Sequence, residues 1–309
     1  MSYNFLPKSL KKFIKARLKR MVFPSPVAFM KYLPIKYNED WFLIPNAPDS
    51  INDTNKDTRN QGLAMPPKEL WIGGPTKEFY LYWGEKDVGK MIEILDASNF
   101  SLQTGYRILD FGCREGRMIR HLKHYSETCE IWGVDASAAH IYWCKRNLDP
   151  PFHFATTTTI PHLPFEDSYF DFIYAGSVFT HIDDLAESWL LEIRRVLSPK
   201  GRAYLTIHDK HTISLVDKCY EEYSSKPEAN ESQELLSTRL FSSNLHAEDV
   251  YKKNKDSNFG MFVHGRDICS QVFYDIDYFR KTLAPMFDIV SITEEAYSEY
   301  QTAVLCKKK

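Results

Sequence analysis

Two carboxylates and two glycines near the middle of the chain have the types and spacing of a small-molecule pocket. In YRILDFGCREGRMIRHL, Tyr106 to Leu122, the apolar pair Ile108 and Leu109 leads to Asp110, and Gly112 and Gly116 bracket a turn. Met118, Ile119 and Leu122 then recur at helical spacing, so the pattern is strand, turn, helix. Glycine has no Cβ and tolerates positive φ, which lets backbone come close to a ligand. Asp110 decides what kind of ligand. Where glycines and a helix N-terminus receive a pyrophosphate, a carboxylate two residues before the first glycine would oppose that double negative charge. The G-x-x-x-G spacing also lacks the G-x-G-x-x-G series of a dinucleotide site. Asp135 ends the next apolar run, CEIWGVD, 19 residues after Gly116 and close to the roughly 20-residue offset at which an acid meets ribose hydroxyls. Together these residues describe a nucleoside ribose beside a positive charge, with no phosphate.

On these motifs the chain resembles the class I S-adenosylmethionine-dependent methyltransferases, whose first motif sets an acid before a glycine turn and whose second ends the next strand in an acid. LPFEDSYFDFIYAGSVFTHI, Leu163 to Ile182, is similar to the family's fourth strand and the loop after it. EIRRVLSPKGRAYLTIH, Glu192 to His208, is similar to its next helix, Pro/Gly turn and fifth strand. The resemblance is good over roughly residues 85 to 210 and looser beyond. It implies S-adenosyl-L-methionine as cofactor, held by Asp110, Gly112, Cys113, Arg114, Gly116, Asp135, Ala136, Ala175, Gly176 and Ser177. Thr156 to Thr159 stand where the family often has an acid for adenine. Arg114 replaces a further glycine of the family's turn, and two readings stay open: it pairs with the methionine carboxylate, or it points to solvent.

The implied reaction is an in-line displacement that transfers methyl to oxygen of a small molecule or saccharide. The saccharide preference rests on PPKELWIGG and the SVFTH loop, which resemble bacterial methyltransferases of glycan or secondary-metabolite pathways. Such a reaction mainly needs positioning, plus a base if the acceptor is a hydroxyl. His181 is the first candidate base, since imidazole titrates near neutrality, against the alternative of a structural histidine; His208 is the second catalytic candidate, against the alternative of an ordinary loop residue. His208, Asp209 and His211 form an HDxH pattern without the further ligand a metal would need, so no metal is expected. His264, Arg266 and Asp267 are candidates for acceptor contacts. The competing reading is a cofactor-binding or scaffold protein that keeps the fold without the activity. A nicotinamide oxidoreductase is disfavoured by Asp110 and the glycine spacing.

The elements that must position these groups alternate. Strands are expected at Tyr106–Phe111, Glu130–Asp135, Phe152–Ala155, Phe170–Ala175 and Arg202–His208, with helices at Ser137–Leu148 and around Trp189 between them. FDIVSITEEAY and QTAVLCKK read as a closing antiparallel pair, preceded by a helix near Asp275–Leu283. The fold class is therefore α/β, a Rossmann-like doubly wound sheet of seven strands, mostly parallel with the last antiparallel. An N-terminal extension of residues 1–84 precedes a methyltransferase domain of residues 85–309, in which 211–260 is a lid-like insertion after the fifth strand. A helix from about Lys86 to Leu95 follows an aromatic run, Phe79, Tyr80, Tyr82 and Trp83, that either reaches the cofactor or seals the sheet.

The chain has 309 residues and is 43% hydrophobic and 14% aromatic, enough for a substantial core. Its net charge of −2 argues against wrapping around nucleic acid, but the first twenty residues carry seven basic and no acidic side chains. With Leu6, Leu10, Phe13, Ile14, Leu18 and Met21 at helical spacing, residues 1–21 form an amphipathic basic helix. It either packs on the domain or touches an anionic membrane surface. Residues 45–68 are polar and rich in Asn, Asp and Pro, as in a linker. Six scattered cysteines without CxxC spacing, and no apolar run of the roughly 18 residues a span needs, point to a cytoplasmic protein.

Overall fold

The computed structural model describes residues 62–71, 76–215, 218, 259–264 and 271–309. The basic helix of residues 1–21, most of the linker and most of the insertion lie outside the described residues, as do the side chains of His264, Arg266 and Asp267.

Strands β1 (Arg107–Phe111), β2 (Glu130–Asp135), β3 (His153–Thr156), β4 (Phe170–Ala175) and β5 (Leu197–Ile207) alternate with helices α2 (Ala138–Asn147) and α3 (Ala186–Val196). Two strands, β6 (Met261–His264) and β7 (Gln271–Tyr274), and helix α4 (Ile276–Leu283) follow, before β8 (Phe287–Tyr297) and β9 (Gln301–Lys308). The large sheet has seven strands in the order β3-β2-β1-β4-β5-β9-β8. β1 to β5 pair in parallel, and β9 runs antiparallel to both its neighbours, β5 and β8. The order reverses between β1 and β4, so the crevice of this Rossmann-like fold opens beyond the carboxyl ends of those strands. β1, β4 and the second half of β5 are buried on both faces, which explains their nearly continuous apolar runs.

Two apolar layers sandwich the sheet. On one face Ile108, Ile131, Phe172 and Tyr204 pack against helix α1 (Lys77–Ala97), α2 and the turns after β1. On the other, Leu109, Val134, Ile173 and Leu205 pack against α3 and α4.

The structure differs from the sequence reading in several places. α1 starts nine residues earlier than expected, because Thr76 caps it by accepting from Phe79 N–H at 3.2 Å, and its aromatic run lies inside the helix. The boundary expected between residues 84 and 85 falls within this helix. After the glycine turn, Ile119–Glu127 winds as a 3₁₀ helix, and β6 and β7 form a separate antiparallel pair. That ribbon is sewn to the core, with Val272 N–H donating to Thr180 O (2.8 Å) and Tyr274 N–H to His208 O (2.8 Å). No described helix is long and apolar enough to cross a membrane.

Candidate functional site

The first two strand ends are stitched into one rim. Gly112 and Cys113 N–H both donate to Val134 O, at 2.8 and 3.0 Å. Asp135 accepts from Arg114 N–H through Oδ2 (2.9 Å) and from Ser137 N–H through Oδ1 (2.7 Å). Each of its oxygens keeps a further lone pair for a ligand hydroxyl. Gly112 and Gly116 sit at φ +86° and +82°, and a Cβ on Gly112 would collide with the Val178 methyl from the loop after β4. Cys113 adds only backbone to this rim; its thiol lies against Gly133 of β2, and burial raises its pKa.

Arg114 occupies a glycine-like conformation, φ +48°. Its side chain is 44% exposed, with Nε 3.8 Å from Glu115 Oε2. The turn accommodates a residue with Cβ at the cost of a left-handed backbone.

Beneath the turn, Asp110 is buried and its Oδ2 has no hydrogen-bond partner. Burial pushes its pKa up to about 7, opposed by the Tyr174 hydroxyl, assisted by the Asp135 charge and opposed by Arg117. A carboxylate kept this dry, with one oxygen unfilled, is suited to a cationic partner. Arg117 is engaged elsewhere: it pairs with Asp87 of α1 at 2.7 Å and donates to the Tyr297 hydroxyl. Asp87 in turn accepts from Ser298 N–H at 2.7 Å. These residues were absent from the sequence reading, because nothing in their local spacing links positions some two hundred residues apart.

The far side of the crevice is the end of β4. Ala175 is buried, and Gly176 has no room for a Cβ, which would lie 2.7 Å from Tyr297 Cε2 and 2.8 Å from Met118 Sδ. Ser177, at φ +57°, is held by a polar chain. Its N–H donates to Thr206 Oγ1 (2.7 Å), Thr206 Oγ1 donates to Gln301 Oε1 (2.7 Å), and Gln301 Nε2 donates to Ser177 Oγ (2.8 Å). Thr180 closes the chain at 3.1 Å. Thr206, Gln301 and Thr180 are buried, so this network fixes the loop that carries His181.

The two candidate histidines have different surroundings. His181 is exposed on that loop. His208 is buried, hydrogen-bonded through Nε2 to Gln271 Oε1 at 3.0 Å and stacked between Phe273 and Tyr300. Burial lowers its pKa to about 3, against the Gln271 hydrogen bond and with a small push from His181. A ring so placed is a rung in an aromatic stack rather than a solvent-reachable base. Asp209 accepts from Thr212 N–H at 3.1 Å and His211 faces Glu295 at 2.8 Å, so the HDxH residues point into separate contacts. Ala136 is exposed at the crevice edge, and Thr157 N–H donates to Asp135 O at 2.9 Å, so the threonine run begins at that edge.

With that geometry, residues 109–205 match the model of a family described as methyltransferase domain. This segment is similar to a methyltransferase domain. The strand order around it is that of a Rossmann-like sheet. The domain match runs from β1 through most of β5 and includes every cofactor-contact residue expected from the sequence. A sterol 24-C-methyltransferase of Schizosaccharomyces pombe is 34% identical over 110 residues, covering 34% of this chain and 28% of that protein. The chain thus aligns with little more than a quarter of the curated relative's length. Among solved structures, magnesium protoporphyrin IX methyltransferase from Synechocystis PCC 6803 is 13% identical with a TM-score of 0.49, covering 78% of this chain and 92% of that one. A protein from Pyrococcus horikoshii OT3 is 17% identical with a TM-score of 0.47, covering 76% and 100%.

Proposed function

We propose that this chain transfers a methyl group from S-adenosylmethionine to a small-molecule acceptor. The observation that carries the reading is Asp110: a dry carboxylate with an unpartnered oxygen, directly under a glycine turn that belongs to a methyltransferase domain. The residues present fit the cofactor. Asp110 offers a negative partner for its cationic amino-acid end, Asp135 offers free lone pairs to ribose hydroxyls, and Gly112 and Gly116 keep the rim clear. When bound, the cofactor supplies a methyl group already activated by a sulfonium. What remains for the chain is to hold both reactants in line and to keep water away.

Gly176 and Ser177, fixed by Thr206 and Gln301, form the wall facing the reacting centre. For a hydroxyl acceptor, His181 is the residue that would take the proton; His208, neutral and enclosed, positions the loop instead. A carbon acceptor on an apolar skeleton is the second reading, favoured by the sterol carbon in the relative's name and by the aromatic stack of His208, Phe273 and Phe262. Glycan acceptors, and contact of residues 1–21 with anionic membranes, belong to the first reading and are tested separately.

Calorimetry with S-adenosylhomocysteine and NADH tests the cofactor, and binding of the sulfur nucleoside alone is expected. No binding of it would end the proposal. An acceptor screen with labelled cofactor, run on wild type and His181→Ala, separates the acceptor readings. A hydroxyl acceptor should lose turnover in the variant, and a carbon acceptor should not. For the membrane contact, deleting residues 1–21 should lower sedimentation with anionic vesicles.

A further inference from the structure

Arg120 is almost wholly enclosed, at 1% exposure, and among the described residues no carboxylate lies within ion-pair distance of it. A buried guanidinium without a counter-ion is unusual, because desolvating the charge is expensive unless its donors are filled. Here they are filled by two separate stretches of backbone. Nε donates to Gly116 O, the last glycine of the turn, at 3.0 Å. Nη2 donates to Ala64 O at 3.1 Å, Nη1 contacts Met65 Sδ at 3.1 Å, and the group lies over the Tyr80 ring. One rigid planar fork therefore ties the glycine turn to residues 62–71, a strap that precedes α1. Lysine could not make this tie, having a point charge in place of a fork.

A second tie acts at the other end of the strap. His140, in the first turn of α2, bonds Leu70 O through Nε2 at 2.9 Å and lies 3.8 Å from Glu115 Oε2 in the glycine turn. Between the two ties, several buried polar atoms have no hydrogen-bond partner among the described residues: Trp71 Nε1, the Tyr80 hydroxyl, Glu115 Oε2 and His140 Nδ1. They come from the strap, from α1, from the glycine turn and from α2. A native interior rarely leaves so many donors and acceptors unfilled in one place, and a ligand with polar ends is one way to fill them.

We propose that Arg120 is a positioning residue for the cofactor crevice. By holding Gly116 and Ala64 on one fork, it makes the settling of strap 62–71 and the filling of the crevice a single event. This rests on the cofactor reading above, and its test is arranged to fail separately. Hydrogen exchange of the strap amides is followed in the full chain with and without S-adenosylhomocysteine. Binding is followed in parallel by calorimetry, for wild type, Arg120→Lys and Arg195→Lys. Arg195 is a control fork on α3, bonded to Leu163 O and Phe165 O away from the turn.

In wild type the nucleoside should slow strap exchange about tenfold or more. Arg120→Lys should lose most of that protection and bind about tenfold more weakly, as expected for losing one charge-assisted hydrogen bond. Arg195→Lys should keep both, even if its melting temperature falls. Wild type that binds the nucleoside with no change in strap exchange overturns the coupling, and no variant is needed to see it. Arg120→Lys that retains wild-type protection and affinity also overturns it. Wild type that fails to bind removes the cofactor reading itself.

Discussion

Replacing Asp110 with asparagine separates what this carboxylate does for binding from what it does to the fold. Burial raises its pKa from 3.8 to about 7. The folded protein therefore holds a proton that the unfolded chain releases between about pH 4 and pH 7. The sign follows: a carboxyl whose folded pKa is raised gives its full contribution below pH 4, and that contribution is lost as pH rises through 7. The whole span from 3.8 to about 7 corresponds to roughly 4 kcal/mol. Asparagine does not titrate, so the wild type should lose ground to Asp110→Asn by roughly 2–3 kcal/mol between pH 5 and pH 8. At pH 8 the variant should be the more stable protein by about 1–3 kcal/mol, after allowing for its own unfilled amide donor.

Urea unfolding without cofactor, at several pH values across that range, reads the difference directly. Binding should move the other way. A cationic partner favours the ionised carboxyl, so wild-type affinity for S-adenosylhomocysteine should rise through pH 7 with release of a proton. Asp110→Asn should bind about 10–100-fold more weakly at pH 8, and its affinity should lose that pH dependence. A stability difference that stays flat from pH 5 to pH 8 would refute the burial argument. Undiminished affinity in the variant would refute the cationic slot.

Arg114→Gly removes a Cβ from a φ of +48° and should stabilise the protein by up to about 1 kcal/mol in thermal unfolding, with cofactor affinity unchanged. Gly112→Ala should do the opposite: at φ +86° its methyl meets Val178, so a loss of about 1–3 kcal/mol and of nucleoside binding is expected by calorimetry. Gln301→Leu leaves Thr206 and Ser177 each one partner short in a buried network, at about 1–3 kcal/mol in urea unfolding. Its turnover should fall more than its cofactor affinity, since the network holds the loop after β4 and leaves the glycine turn alone.

The residues most legible in the sequence were those whose neighbours in the chain are also their neighbours in space. Asp110, Gly112 and Gly116 share one turn, and Asp135 ends the adjacent strand, so local spacing identified the rim. β8 and β9 were readable as alternating runs next to each other, and both have the expected limits. Arg120 was illegible because an arginine on a helix reads as a solvated one; the carbonyls of Gly116 and Ala64 explain its burial. The surroundings of His208 were illegible for a related reason. Its strand-end position suggests a reactive group, but Gln271 and Phe273, sixty-odd residues on, enclose it. α1 begins at the Thr76 cap and takes in the aromatic run that the sequence reading set before it.

β9 lies inside the sheet, between β5 and β8, and its first residue completes the polar chain that holds Ser177. Tyr297 and Ser298, just before it, receive the Arg117 and Asp87 contacts that brace the glycine turn. On a nascent chain, then, the motifs of residues 110 to 181 leave the ribosome long before the strand that sets them. β1 to β5 can pair early, but the crevice acquires its final shape only once residues 297–308 have threaded into place. Cofactor binding during synthesis should therefore report the arrival of that last strand.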